Sequence, residues 1–359
     1  MLTKKQIEEI REHLDRAQNP VFFFDNDVDG LVSFLLLQRY IERGKGVAVK
    51  SYPGLAKDYF RKVDELNADY IFILDKPIVD KEFFDEAEKF NIPVVWIDHH
   101  NIEEGVTIPE FVNYYNPLPN KKSNKDFYKN QMAGEPTSYL AYSVSRKKVD
   151  IWLAVCGCIG DRYFPNFYEE FMEKYSELGF ESENPFDIFY KSKIGEMANL
   201  FNFALKDRIS NVVNMSKFLM KVKSPSEVFE ENKKNKSMHQ RFEQINAKYQ
   251  KLLTRANIVA ENSGKILFFK FGGDLSIASD LSNELNYLYP DKITVVAFDN
   301  GYKMNISMRG ENVRDLISKA MKNLENSTGG GHRKAVGGTV RAEDFEKFKD
   351  KLEKLVITK

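Results

Sequence analysis

Cysteine is almost absent from this 359-residue chain: only Cys156 and Cys158 occur, one residue apart. That spacing is too short for an ordinary structural disulfide, and no second pair completes a thiolate zinc site. The two read as small buried hydrophobes on a helix. Such usage fits a reducing compartment, and a cytoplasmic location is expected. Net charge is missing too, since 53 Lys and Arg balance 53 Asp and Glu. There is therefore no global basic signature of nucleic-acid binding, although a local basic groove stays open. No apolar run reaches a membrane span; residues 31–37 are typical of the longest. The opening MLTKKQIEEIREHL carries acids at helical spacing without an apolar h-region, so neither a signal peptide nor a membrane partner is expected. Histidine is scarce: His13, His99, His100, His239 and His332.

What is present is a normal globular composition, 42% hydrophobic and 30% charged, with length for two ordinary cores. Thr3 and Gln6 form a capping-box pattern ahead of an amphipathic helix carrying Ile7, Ile10 and Leu14. Apolar strand runs over 21–24, 47–52, 70–74 and 93–97 alternate with helical runs over 30–43, 59–66 and 81–90. Strands apolar throughout argue for a parallel sheet covered on both faces. A polar loop is expected over 118–135, then helices over 136–146 and 150–159. The stretch from about 184 to 256 looks wholly helical. A second α/β unit follows, with strands over 265–271, 293–298 and 302–308, a hairpin signal at Asp299-Asn300-Gly301, and amphipathic helices over 313–324 and 342–356. The expected fold class is α/β, divided as 1–183, a helical connector 184–263, and a smaller α/β domain 264–359.

The acids carry the chemistry. Val21-Phe22-Phe23-Phe24 runs into Asp25-Asn26-Asp27-Val28-Asp29-Gly30, the strand over 70–74 runs into Asp75, and the strand over 93–97 runs into Asp98-His99-His100. A fourth site follows the helix over 150–159 at Gly160-Asp161. In open parallel sheets, ligands bind beyond the carboxyl ends of the strands, so these residues share one edge. One Asp after a strand is usually a turn or cap. Asp-x-Asp-x-Asp-Gly also resembles a calcium-loop start, but the twelfth place is Leu36 rather than Glu. The conjunction at several strand ends points instead to crowded carboxylates neutralised by cations. Carboxylates mixed with imidazoles suit Mn²⁺, with Mg²⁺ or Co²⁺ also possible. Two ions about 3.5–4 Å apart, clamping a phosphoryl group, are the expected arrangement.

Downstream, GGGHRKAVGG (329–338) allows close backbone approach to an anion, with His332, Arg333 and Lys334 adding charge, and Ser307-Met308-Arg309 ends a strand upstream. A flexible interdomain turn is the alternative reading of the glycine run.

Together, DNDVDG (25–30), Asp75, DHH (98–100), Gly160-Asp161 and GGGHRKAVGG (329–338) resemble the DHH phosphoesterase family, over roughly 18–165 and 264–340. The resemblance implies a catalytic DHH domain and a DHH-associated substrate-binding domain, with the active site in the cleft between them. It implies Asp27, Asp29, Asp75, His99 and Asp161 as metal ligands, Asp75 as the bridge between two ions, and Asp25 as a further ligand. His99 and Asp75 count as catalytic through the metals, and His100 contacts the scissile phosphate. Ser307, Arg309, Gly330, Gly331 and His332 hold the substrate. Relatives that act on short oligoribonucleotides, pAp or pyrophosphate usually carry histidine four residues before Asp27, where this chain has Phe23. The Asp-x-Asp-x-Asp-Gly form is similar to RecJ-like, archaeal-type single-strand exonucleases, although no added oligonucleotide-binding barrel is visible. The leading expectation is an exonuclease releasing mononucleotides from single-stranded DNA or RNA by water activated between two ions. Lys121, Lys122, Lys125, Lys233, Lys234 and Lys236 are candidate backbone contacts. The alternatives are a phosphodiesterase or phosphatase for nano-RNA, pAp or a cyclic dinucleotide, and a replication-complex scaffold. Replication or repair proteins are candidate partners.

Overall fold

The computed structural model of the chain describes residues 1–50, 54–101, 107–120, 134–331 and 333–357. It sets the phenylalanine-rich run as strand β1 (Pro20–Asp25), buried at all six positions. Successive side chains of a strand point to opposite faces. Phe22 and Phe24 accordingly enter one core, with Leu31, Phe34 and Trp152, while Val21 and Phe23 enter another, with Phe60, Phe83 and Trp96. A strand buried on both faces needs partners on both sides. β1 pairs in parallel with β2 (Lys45–Val49) and β3 (Tyr70–Leu74), and β4 (Val94–Ile97) and β5 (Val112–Tyr115) extend the sheet to the order β2-β1-β3-β4-β5. β5 was not expected from the sequence; it is four residues long and includes Asn113, whose side chain is only half-buried. Aromatic rings dominate the packing: Phe22 stacks on Phe72 at 5.0 Å and Phe24 on Phe34 at 5.1 Å between centroids.

The chain divides into two units, Met1–Glu243 and Gln244–Lys359. In the first, helices Val28–Ile41, Thr137–Ser145 and Ile151–Gly160 pack together over one face of the sheet. The helix Lys193–Leu205 packs on Ile151–Gly160. Arg39 ties this layer to the chain beyond it, donating to the carbonyls of Leu219 (3.1 Å) and Val222 (2.6 Å) while pairing with buried Asp150.

The second unit holds β6 (Ile266–Gly272), β7 (Ile293–Asp299), β8 (Lys303–Arg309), β9 (Thr328–Gly331) and β10 (Ala335–Arg341), in the order β6-β7-β8-β10-β9. Only β6 and β7 are parallel. The glycine run expected as a loop supplies β9, an exposed edge strand paired antiparallel with β10. Glycine carries almost no strand propensity, which is why the sequence hid it. Met304, Ile306 and Met308 point into a core under helices Val313–Met321 and Phe345–Ile357. Among the described residues, no helix is long and apolar enough to cross a membrane.

Candidate metal centre

Strand register explains why the acids meet. Phe24 is level with Leu74, and Leu74 with Ile97. The next residues, Asp25, Asp75 and Asp98, therefore emerge side by side at the carboxyl edge of the sheet. Gly30 lets the following turn fold back on itself: a methyl there would lie 2.4 Å from the Asp25 carbonyl oxygen. Asp27 caps the helix Val28–Ile41, accepting from the Gly30 N–H at 2.9 Å. Asp29, two residues on, accepts from the N–H groups of Thr137 and Ser138, both at 2.8 Å, at the start of the helix Thr137–Ser145. Asp75 has φ +60, a left-handed backbone that an aspartate tolerates.

Around Asp75 the groups crowd. Its Oδ1 lies 3.3 Å from His99 Nε2 and 3.8 Å from His100 Nδ1, and accepts from Thr137 Oγ1 at 3.2 Å. Three sets of side chains offer ligand atoms within 4.8 Å of one another: Asp25, Asp27 and Asp75; Asp75, His99 and His100; and Asp29, His99 and Asp161. Asp75 and His99 each belong to two sets. All six residues expected to ligate metal are thus brought together. Asp161 arrives at the end of the helix Ile151–Gly160, where Arg162 pins the turn by donating to the Gly160 carbonyl (2.5 Å) and covering the Phe189 ring (3.4 Å).

Electrostatics follow from the crowding. Burial, then the charges of Asp25 and Asp29, push Asp27 up to about 8. Burial and the carboxylates of Asp29, Asp27 and Asp25 raise Asp75 well above the usual range. Burial raises Asp161 to about 6 against the opposing pull of His99. Burial alone would lower His100, but its hydrogen bond to Asp98 and the surrounding acids outweigh that and bring it to about 9. The carboxyl shifts record burial and mutual repulsion that a divalent cation would relieve. Asp161 Oδ2 and His99 Nδ1 are buried without a hydrogen-bond partner. Oxygen and imidazole donors with orphaned buried atoms fit hard to borderline divalent ions.

Other members of the site were given no role from the sequence, although Asp98 stands in the DHH motif. Asp98 holds His100 at two points, Nδ1 at 2.8 Å and the backbone N–H at 3.2 Å. Asn116 donates to the His100 carbonyl at 2.8 Å. Lys76, fully buried, donates to Asp25 Oδ1 at 2.7 Å and to the Lys50 carbonyl at 3.0 Å. A lysine after a strand reads as surface; only the register shows that it turns inward.

In the second unit, Ser307, Gly337 and Gly330 stand in one cross-strand row on β8, β10 and β9. On one face Gly329 and Gly338 make room for Met321: a methyl at either would meet it at 2.7 or 2.6 Å. On the other, among the described residues, a Cβ at Gly330 would meet nothing within 4 Å and one at Gly337 only the Ile306 carbonyl oxygen, which leaves bare backbone there. Arg309 is held by the helix Ala278–Leu288, donating to Asn283 (2.6 Å) and Ser279 (2.9 Å). Ser307, Gly330 and Gly331 are thus brought together, with Arg309 level with Ala335 on the neighbouring strand. His332, and Lys121, Lys122 and Lys125, lie outside the described residues.

Known proteins match this arrangement. The model of the DHH family, N-terminal domain, matches residues 21–156, and that of the DHHA1 domain matches 261–358. No curated protein matches the chain in sequence. Among solved structures, RecJ in complex with Mn²⁺ from Thermus thermophilus superposes with TM-score 0.68 at 13% identity, over 99% of this chain and 54% of that one. An exonuclease RecJ bound to manganese gives 0.63 at 14%, over 99% and 94%. CDC45 from Entamoeba histolytica gives 0.54 at 10%, over 98% of each. The chain thus spans about half the length of the Thermus RecJ. Motifs, domain order and fold agree: the chain belongs to the DHH family, with a DHHA1 domain and a RecJ-like fold.

Proposed function

We propose that the protein is a divalent-metal-dependent phosphodiester hydrolase, an exonuclease that removes mononucleotides from the end of single-stranded DNA or RNA. The observation that carries this is the overlap of three ligand sets on Asp75 and His99 at one sheet edge. Asp25, Asp27, Asp29, Asp75, His99 and Asp161 would hold two ions, with Asp75 between them. Bound there, the ions supply positive charge to the phosphoryl oxygens and lower the pKa of water. Mn²⁺ is the ion of the RecJ structures to which the fold is similar, and Mg²⁺ or Co²⁺ suits the same donors. His100 serves the scissile phosphate: Asp98 takes its Nδ1 and fixes its tautomer, which leaves Nε2 to donate a proton or hydrogen bond to a phosphoryl or leaving oxygen. The backbone N–H groups of Thr137 and Ser138 hold the Asp29 carboxylate in its aim. The open Ser307–Gly337–Gly330 row suits the terminal phosphate or base, with Arg309 and His332 supplying charge. Phe23 in place of histidine before the first motif favours the strand-degrading branch.

End-labelled DNA and RNA strands of graded length, with either end blocked, test the reading. Stepwise loss of mononucleotides is expected with Mn²⁺, falling by about a hundredfold or more in Asp75→Asn. The neutral net charge favours a second reading, hydrolysis of a dinucleotide or another small phosphodiester. A rate that collapses beyond a few nucleotides selects it. No metal-dependent cleavage of any phosphodiester refutes both and leaves the scaffold, which the intact acids and both histidines place last. Replication or repair proteins are the partners proposed for either role, and the two buried free thiols fit a cytoplasmic setting.

A further inference from the structure

Lys76 is a full positive charge enclosed in an acidic site. Its side chain is fully buried, and its Nζ lies 2.7 Å from Asp25 Oδ1. It also donates to the Lys50 carbonyl at 3.0 Å, while its own carbonyl accepts from Trp96 Nε1 at 2.9 Å. The ammonium is therefore fixed from two directions, β1 through Asp25 and the chain after β2 through Lys50, while β4 holds the backbone of Lys76 through Trp96. Isolated buried lysines are rare, and one so placed acts as a resident cation.

The charge is not shared evenly. Asp25 belongs to the set with Asp27 and Asp75, whereas the set of Asp29, His99 and Asp161 contains no residue that Lys76 touches. A divalent ion at the first set must be held by a carboxylate already paired with an ammonium, and must share its surroundings with that positive charge. An ion at the second set meets Asp29, which accepts from two backbone N–H groups, with the His99 imidazole beside it.

Resting on the metal reading above, we infer that Lys76 makes the two metal positions unequal. The Asp29–His99–Asp161 position binds tightly and fills first. The Asp25–Asp27–Asp75 position binds weakly, because Lys76 already supplies part of the positive charge there. Lys76 is thus a positioning residue that leaves the second ion exchangeable, and it keeps Asp25 in place when that ion departs.

The test is a titration of metal-free full-length protein with Mn²⁺, following the paramagnetic resonance signal of the free aqua ion, which needs no catalysis. Wild type should bind in two steps separated by about tenfold or more, the scale of one charge acting across a few ångströms of protein. Lys76→Gln keeps a donor but removes the charge, and should narrow that gap by tightening the weaker step. Lys76→Arg should preserve the gap. Should neither Lys76 variant melt cooperatively in saturating Mn²⁺, ligand variants decide. Asp27→Asn should abolish the weaker step and Asp161→Asn the tighter one, and the reverse assignment overturns the inference. Two equal steps in wild type also overturn it, while leaving the hydrolase reading intact. A weaker step that disappears in Lys76→Gln overturns it too, since Lys76 would then only prop Asp25. Absence of any Mn²⁺ binding removes both this inference and the hydrolase reading.

Discussion

Asp27, Asp75 and Asp161 are carboxyl groups that fold into a place where ionisation costs energy. Burial comes first among the causes for each, and neighbouring acids add to it. A carboxyl with a raised folded-state pKa stabilises the fold while protonated. That stability is complete below the ordinary range near ~4 and is lost as pH rises through the folded value. The loss should pass through about 6 for Asp161 and about 8 for Asp27. His100, raised to about 9, works in the same direction, since its charged form is the favoured one. Metal-free protein is therefore expected to melt at progressively lower temperature as pH climbs from mildly acidic to mildly alkaline. Saturating Mn²⁺ should cancel the slope, because it binds the ionised form. Melts in chelator that do not vary with pH would contradict this account. The residue scale is also where the sequence was least informative. Asp25, Asp27, Asp29, Asp75 and the His99-His100 pair were legible because each follows a strand or opens a helix. Lys76 and Asn116 act through partners that adjoin them only once the strands of the sheet are in register, whereas Asp98 meets His100 two residues on.

Helix placement around the site depends on Gly157. In the helix Ile151–Gly160, a Cβ at this position would lie 2.6 Å from both Cβ and Oγ of Ser138 and 2.8 Å from a methyl of Val32. The missing side chain lets the Thr137–Ser145 helix approach closely enough for its first N–H groups to reach Asp29. Two effects oppose each other in Gly157→Ala. Helix propensity gains up to about 1 kcal/mol, whereas overpacking costs about 1–3 kcal/mol. The contacts are with Cβ and branched methyl groups rather than with the end of a flexible chain, so overpacking should win. The variant should melt lower and bind Mn²⁺ more weakly; a variant at least as stable as wild type, with unchanged affinity, would refute the argument. Elements differed in legibility for a related reason. β1, β3 and β4 announce themselves as apolar runs stopped by aspartate. β5, with Asn113 at its second place, and β9, with three glycines, form because a neighbouring strand offers them hydrogen bonds, which composition does not record.

At the scale of the molecule, zero net charge and an acidic site leave little long-range attraction for a polyanion. Lys233, Lys234 and Lys236 are exposed and clustered at the start of the helix Lys236–Glu261. If they guide a strand, their combined replacement by glutamate should raise KM for long strands and flatten its salt dependence, while turnover of a dinucleotide stays as in wild type. Equal KM for long strands in both proteins would dismiss the cluster as solvated surface. The α/β class and the parallel sheet were legible in the alternating runs. The mixed sheet of the second unit was only partly so, because its edge is made of glycine.

Asp75 holds its carboxylate on a left-handed backbone, a conformation that asparagine shares at little strain and most other residues do not. An exchange of one carboxylate oxygen for an amide there would leave the chain's path untouched while stripping the anion that two ligand sets share. The proposed hydrolysis could therefore be surrendered in a single base change with the architecture intact. A lineage built on this plan stands one step from an inert body free to be kept for the company it holds.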